Sequence, residues 1–356
     1  MSDQYPPPLE GGIAPLVQWF KFHKRDLPWR NNPSPYAVWI SEVMLQQTQV
    51  AVVIPYYLRW MELFPTIQAL ACTPLEDVIK CWEGLGYYSR ARNLHQGAQY
   101  VLEKHGGDLP QTTEELLQIK GLGEYTVGAI LSFAFHQKEI AVDGNVQRVV
   151  SRLFALKEDL SKSKGKKTLH TLAKGLLPDR EPWIVSEALI ELGAVICTKL
   201  PRCYKCPLVN VCNAFLEGKA DKIPYKSKKI KIEKIRRGVA VIESRELYLL
   251  RKVPAGEIME GLYEFPYFAD EDNASSIAAV LAAQFGLQVH FKDNLNRVEQ
   301  GFTRFQAILS PFIYSADETK PIAGFHWIEK KALKNLPFSS GHRKIFHALN
   351  ATFVDD

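Results

Sequence analysis

The chain reads as a mostly helical region, residues 1–218, then a basic linker, 219–237, then a smaller α+β region, 238–356. Three observations predict this. From residue 13 to about 217, apolar residues recur at helical spacing without sustained strand alternation. After Gly238 short alternating runs appear, mixed with helical ones. Between the two, residues 219–237 hold nine Lys or Arg against Asp221 and Glu233. Such a run serves as a solvated linker or as a phosphate contact.

In the first region the helical runs are IAPLVQWFKFH, SEVMLQQTQVAVVIPYYLRWMELF, PLEDVIKCWE, ARNLHQGAQYVLEKH, TEELLQI, TVGAILSFAF and VSEALIELGAVI. The turn signals FPT, GLGYY, GGDLP, KGLG and VDGN separate them. In the second region GVAVIES and ELYLLRKV predict a hairpin turning at SRE. EGLYEFPYF and FTRFQAILSPFIYS predict further strands, and SSIAAVLAAQF and HRKIFHAL predict helices. No internal repeat is evident.

Hydrophobic residues make up 46% and charged residues 23%, the balance of a globular protein. A net charge of +5 permits a nucleic-acid partner without demanding one. The opening MSDQYPPPLEGG has neither a basic nor an apolar signal region, and no apolar run is long enough to span a bilayer. A cytoplasmic protein in a reducing compartment is expected. There, clustered thiols bind metal rather than pair as disulfides. Cys197, Cys203, Cys206 and Cys212 follow a C-x5-C-x2-C-x5-C pattern, compact enough for one centre. Four thiolates so spaced hold a tetrahedral zinc or an iron–sulfur cluster. Cys72 and Cys81 are assigned to the core.

Four stretches carry chemistry. LLQIKGLGEYTVGAILSF, residues 116–133, places a Gly121-Leu122-Gly123 turn between two helices. That is a helix–hairpin–helix for holding a DNA phosphate on backbone amides, or a plain turn between helices. Asp143 of VDGN is an N-cap, and a carboxylate so fixed stays ionised and can stabilise a cation. Glu42, in AVWISEVMLQQTQV, is a first-turn charge on the helix dipole or a desolvated acid with a raised pKa. Tyr87 and Tyr88 precede Arg90 and Arg92, an arrangement for stacking bases and contacting phosphates or for ordinary core packing.

Together WISEVMLQQTQV, GLGYYSRARNLH, IKGLGEYT, VDGNVQRV and EALIELGAVICT resemble the helix–hairpin–helix DNA glycosylases, and most of all those of the MutY adenine-specific type. The resemblance covers Leu27 to Cys212 strongly and the C-terminal half more loosely. It implies two helical lobes with an iron–sulfur loop, and removal of adenine mispaired with 8-oxoguanine or guanine in double-stranded DNA. The adenine would be flipped into a pocket between the lobes by a monomeric enzyme. The four cysteines would hold one [4Fe–4S] cluster that shapes a DNA-binding loop. Glu42 matches the acid that protonates adenine at N7, and Asp143 the carboxylate that stabilises the oxocarbenium ion. Tyr125 and Asn145 match residues that position the sugar and Asp143. Glu187 matches a contact to the flipped adenine, and Trp29 and Arg30 are further expected substrate contacts. Gln47 and Tyr87 match wedges near the lesion pair, and Gly121 and Gly123 the phosphate turn. Endonuclease III-like relatives carry a Schiff-base lysine where this chain has Tyr125, so little strand-cleaving lyase activity is expected.

The C-terminal half resembles the Nudix-like domain of the same family. GEIMEGLYEFP matches its early strands. SSIAAVLAAQFG replaces the glutamate-rich magnesium-binding helix of a working Nudix hydrolase and carries no acid, so binding without hydrolysis is expected. A Phe-Ser-His loop reads 8-oxoguanine in the family; here it is Phe302-Thr303-Arg304. The first cysteine interval is five residues where six is usual, Gln147 stands where some relatives have lysine, and HQKEIAV before Asp143 lacks the superfamily's glycine and proline.

Overall fold

A computed structural model describes residues 12–31, 33–227, 232–269, 271, 273–302 and 305–352. The chain divides into two compact units, Met1–Cys72 with Asn93–Lys229, and Thr73–Arg92 with Ile230–Asp356. Among the described residues no helix is long and apolar enough to cross a membrane.

The first unit is helical. α1 (Ala14–His23), α2 (Pro35–Leu45), α3 (Val50–Leu63) and α4 (Ile67–Cys72) come first. α5 (Leu75–Trp82) and the first residues of α6 (Ser89–His105) fall in the second unit's Thr73–Arg92 segment. The helices α7 (Thr113–Leu116), α8 (Glu124–Ala129), α9 (Gly144–Leu153), α10 (Ser163–Gly175), α11 (Pro182–Val195) and α12 (Asn213–Leu216) complete it. Leu16 and Phe20 of α1, Val146 and Val150 of α9, Leu169 of α10, and Val185 and Leu189 of α11 share one core. That core fixes the start of α9 against the end of α11.

Three expectations need correction here. The helical run at residues 41–64 is two helices, because Gln47 adopts a left-handed backbone (φ 58°) that no helix continues through. α2 begins at Pro35 behind an Ser34 cap, so Glu42 lies in its third turn, beyond reach of the N-terminal dipole. Cys81 is buried as expected, but Cys72, the last residue of α4, is exposed.

The second unit is built on one mixed sheet. Its strands are β1 (Glu233–Ser244), β2 (Leu247–Lys252), β3 (Tyr263–Glu264), β4 (Tyr267–Ala269), β5 (Val289–Asn294), β6 (Val298–Phe302), β7 (Phe305–Ala316) and β8 (Phe325–Glu329). The order is β3-β2-β1-β7-β5, with β4 on β1, β6 on β7 and β8 on β2. β1 and β7 run parallel from Glu233↔Phe305 to Glu243↔Ser315, and the other pairs are antiparallel. Central strand β1 buries alternate residues on both faces. Val239 and Val241 pack with Ile345 and Phe346 of α15 (Ser340–Thr352). Ala240 and Ile242 pack with Ile277 and Leu281 of α13 (Ala274–Phe285). A short α14 (Lys330–Leu333) precedes α15. The expected hairpin is β1–β2, turning at Arg245-Glu246. The sheet starts at Glu233, inside the stretch read as linker, because Glu233 already pairs with Phe305.

Candidate active site

α2 crosses the first unit with Tyr36 through Met44 all buried, so its sequence admits a polar side chain there only for a reason. Ser41 meets that demand by donating to the Val38 carbonyl at 3.0 Å, and Glu42, 6% exposed, is the charged side chain of the run. Burial, aided by Asp143 and Glu187 nearby, pushes its carboxyl up to about 7, against the pull of a Tyr125 hydrogen bond and of Arg30. The Tyr125 hydroxyl donates to Glu42 Oε2.

Tyr125 arrives from the glycine turn. Thr112 caps α7 by accepting from Glu115 N, and the chain turns at Gly121 (φ 89°). A Cβ on Gly121 would lie 2.6 Å from Cβ of Asn93, so only glycine fits. Gly123 caps α8, with open space where its side chain would be. α8 passes into a π-helical turn at Ile130–Ala134. Gly128 admits the Ile140 carbonyl, 2.5 Å from where its Cβ would stand, which brings the strand-like lead into Asp143 against this helix.

Asp143 caps α9. Its Oδ1 accepts from Asn145 N (2.8 Å) and Val146 N (2.7 Å), and its Oδ2 from Asn145 Nδ2 (2.6 Å). Burial raises its pKa, while these donors and the Arg148 guanidinium pull it down. Two carboxyls thus share one site in unlike surroundings. Glu42 meets burial with the Tyr125 hydroxyl as donor and is pushed up to about 7, whereas Asp143 meets it with three donors that work against the rise.

A third acid closes the site. Arg30 Nε pairs with Glu187 Oε2 at 3.0 Å, and its Nη2 reaches Glu191 Oε2 at 2.9 Å. Burial alone would raise Glu191, but Arg25 and Arg30 outweigh it and hold the carboxyl below its usual range. Glu187 goes the other way, raised by burial despite Arg30.

A pocket of about 700 Å³ joins these groups, lined by Trp29, Arg30, Glu42, Gln47, Gly121, Gly123, Tyr125, Asp143, Asn145 and Glu187. Every expected site residue of the first unit outside the cysteine loop therefore meets in one place. Tyr87 does not; it lines a separate cavity of about 240 Å³ within the second unit, with Tyr88, Arg92 and Gln300. Gln47 and Tyr87 both hold left-handed backbone, φ 58° and 50°, which non-glycine residues adopt only where the surroundings enforce it. Phe302 ends β6, its side chain undescribed; Thr303 and Arg304 lie outside the described residues.

Two supports were not foreseen. Gly193 packs on the start of α9, since its Cβ would fall 2.5 Å from Cβ of Asn145. A glycine inside the apolar helical run ELGAV was the available signal. Arg148 donates to Asn145 Oδ1 (2.8 Å), Gly193 O (2.8 Å) and Cys197 O (2.6 Å), so it ties the cap of α9 to the cysteine loop.

The four cysteines line one apolar cavity beside Arg152. Burial pushes the Cys206 thiol up to about 12 and raises Cys203 and Cys212, with neighbouring thiols adding to it. Among the described residues no three metal-binding side chains are grouped to hold a single ion. The thiols instead ring a space. Arg152, 2% exposed, donates to Cys197 Sγ at 3.3 Å and to the Thr198 carbonyl at 2.6 Å. A buried cation against four thiols suits an anionic group among them.

The HhH-GPD superfamily base excision DNA repair protein family matches residues 40–175, and the NUDIX domain family matches 238–348. The chain is 47% identical over 210 residues to an adenine DNA glycosylase of Mus musculus, a match covering 56% of this chain and 41% of that protein. It is 35% identical over 264 residues to one of Buchnera aphidicola subsp. Baizongia pistaciae, covering 73% of this chain and 75% of that one. The chain thus spans about two fifths of the mouse relative's length. Among solved structures, a thermostable thymine-DNA glycosylase superposes with a TM-score of 0.54 at 26% identity, over 58% of this chain and 96% of its own. An endonuclease III–DNA complex superposes at 0.51 and 24% identity over 60% of this chain and 95% of its own, a likeness of fold alone.

Proposed function

Because the chain belongs to the adenine DNA glycosylase family, within the HhH-GPD base excision repair superfamily, we propose that it hydrolyses the N-glycosidic bond of adenine mispaired with 8-oxoguanine or guanine in double-stranded DNA. One observation carries this reading. A single pocket holds a buried carboxyl titrating near 7, Glu42, together with a carboxylate fixed by three donors, Asp143.

Cleavage of the C1′–N9 bond leaves its electron pair on adenine and positive charge on the sugar. Protonated Glu42 gives its proton to adenine N7, which makes the base a neutral leaving group. Asp143 stabilises the oxocarbenium ion, and water completes C1′ as its spare proton returns to the carboxyl pair. This division between a neutral acid and an anion is that of glycoside hydrolysis. Tyr125 and Asn145 hold the two carboxyls and the sugar. Adenine reaches the pocket only flipped from the duplex, where Glu187, Trp29 and Arg30 receive it. Gln47 and Tyr87 act as wedges in the stack, and the turn at Gly121 and Gly123 holds a phosphate without reading sequence. With Tyr125 in place of a Schiff-base lysine, the enzyme is monofunctional.

Cys197, Cys203, Cys206 and Cys212 would hold one [4Fe–4S] cluster, with the Arg152 guanidinium as countercharge; it would brace the loop and supply no hydrolytic chemistry. The C-terminal half, with no acid on α13, recognises the lesion through Tyr87 and residues 302–304 rather than hydrolysing nucleotides. The enzyme works as an intracellular monomer.

The test is single-turnover cleavage of a duplex with one adenine opposite 8-oxoguanine, read with and without hot alkali. Breaks at the adenine only after alkali are expected. Breaks without alkali would mean a lyase, and no breaks from a DNA-binding, yellow-brown protein would remove adenine as the substrate.

A further inference from the structure

We infer that Glu83 is a positioning residue for lesion recognition, fixing the strained turn that carries Tyr87 to the body of the C-terminal unit. The inference rests on the assignment of Tyr87 to the lesion pair above. The turn at residues 84–88 has left-handed backbone at Gly84 (φ 103°), Gly86 (φ 71°) and Tyr87 (φ 50°). Such a turn keeps its shape only if it is held. Arg90 holds it from within, donating to the Leu85 and Gly86 carbonyls at 3.1 and 3.0 Å. Those bonds set the turn's form but not its place.

Its place is set by Glu83, the residue just before the turn. Glu83 Oε1 accepts from Arg343 Nε of α15 and from Phe338 N at 3.2 Å. Its Oε2 takes Lys80 Nζ at 2.6 Å, and that ammonium also reaches the Leu336 carbonyl at 3.2 Å. Glu83 and Arg343 are only 13% and 15% exposed, so the pair is weakly screened. Just after Tyr87, the Tyr88 hydroxyl donates to Phe338 O at 3.1 Å. Both sides of the turn therefore converge on Phe338.

From Phe338 the connection continues. Gly341 N donates to Gln300 Oε1 at 2.7 Å, and a Cβ on Gly341 would strike that oxygen at 2.4 Å. Gln300 lies on β6, two residues before Phe302. One short segment, residues 338–343, thus anchors the Tyr87 turn on one side and the strand leading to the lesion loop on the other. Two recognition elements far apart in sequence share one mount. Glu83 is the charged link on the Tyr87 side, and it is not among the residues that line the pocket of Glu42.

The experiment uses the full chain with Glu83→Gln and, separately, Arg343→Gln, each checked for cooperative thermal unfolding. Single-turnover adenine excision opposite 8-oxoguanine and opposite guanine gives a preference ratio. Amide exchange across residues 84–88 reports the turn itself. We expect the ratio to fall at least tenfold in both variants, about 1.4 kcal/mol, with the limiting rate opposite guanine unchanged. Exchange in the turn should rise, and the double variant should add little, because the two side chains form one link. An unchanged ratio with faster exchange would overturn the role in recognition; unchanged exchange would overturn the anchoring itself. Should the wild type excise no adenine, the functional reading fails, and exchange still decides whether Glu83 fixes the turn.

Discussion

Burying the Glu42 carboxyl costs the fold stability. Its pKa is raised from 4.5 to about 7, with burial the largest cause. Between those values the folded chain keeps a proton that the unfolded chain has lost. Stability therefore falls as pH rises through this window, and the deficit is complete above about 7. At about 1.4 kcal/mol per unit, the deficit reaches about 3 kcal/mol. Glu42→Gln, which can still meet the Tyr125 hydroxyl, should be the more stable protein at pH 8 by up to that amount and gain little near pH 4. Denaturant unfolding at the two pH values checks this, and an equal gain at both would contradict it. The same variant should lose about 10²–10⁴-fold in single-turnover excision, the usual worth of a general acid. In the wild type the rate should fall as pH rises through about 7, where Glu42 gives up its proton.

At the scale of elements, the site depends on how closely α9 and α11 approach. Gly193 sets that distance, because a methyl there would stand 2.5 Å from Cβ and 2.9 Å from Cα of Asn145. Gly193→Ala gains helix propensity on α11 but must push the cap of α9 away, and Asp143 moves with it. We expect a net loss of about 1–3 kcal/mol from overpacking and a fall in excision rate without a matching fall in DNA affinity. Thermal unfolding together with duplex binding checks it. A protein as active as wild type would show that α9 yields without moving Asp143. Asp143 announced α9 because a cap has a local signature. The break at Gln47 did not, since Gln46-Gln47-Thr48-Gln49 holds neither glycine nor proline, and the left-handed backbone falls on a residue that carries no such signal. The π-turn at Ile130–Ala134 keeps the same apolar spacing as the helix before it. β5 and β6 fall outside the strands the sequence predicts; β5 has one partly covered residue and five exposed ones, so it shows no alternation, and its pairing with β7 comes from tertiary contact. The three carboxyls of the pocket, Glu42, Asp143 and Glu187, lie in motifs legible in the sequence, whereas apolar walls such as Val38 and Ile190, and the supports Arg148 and Gly193, act through neighbours that only folding brings near.

At the scale of the whole molecule, the boundary between units does not follow the chain. Thr73–Arg92 reads as one more helical stretch of the N-terminal region, yet it groups with Ile230–Asp356. Helical periodicity says that α5 has an apolar face but not which surface covers it, so no sequence signal marks the crossing. The polar anchors explain the grouping: Lys80, Glu83, Tyr88 and Arg92 all end on groups beyond residue 250. Truncation after Ser227 would therefore leave more than a shorter enzyme. It would strip partners from Glu83 and Tyr88, leaving buried polar groups to find water, at roughly 1–3 kcal/mol for each one left unsatisfied. The pocket of Glu42 and Asp143 is lined wholly by residues before 195 and keeps all its walls. We therefore expect the truncated chain to melt several degrees lower, in keeping with about 4–8 °C per kcal/mol for small domains and less for larger ones. It should still release adenine, and it should do so with little distinction between 8-oxoguanine and guanine as partner. Loss of all excision in a truncated chain that still unfolds cooperatively would place part of the chemistry beyond residue 227, and retention of the full preference would remove the C-terminal unit from recognition.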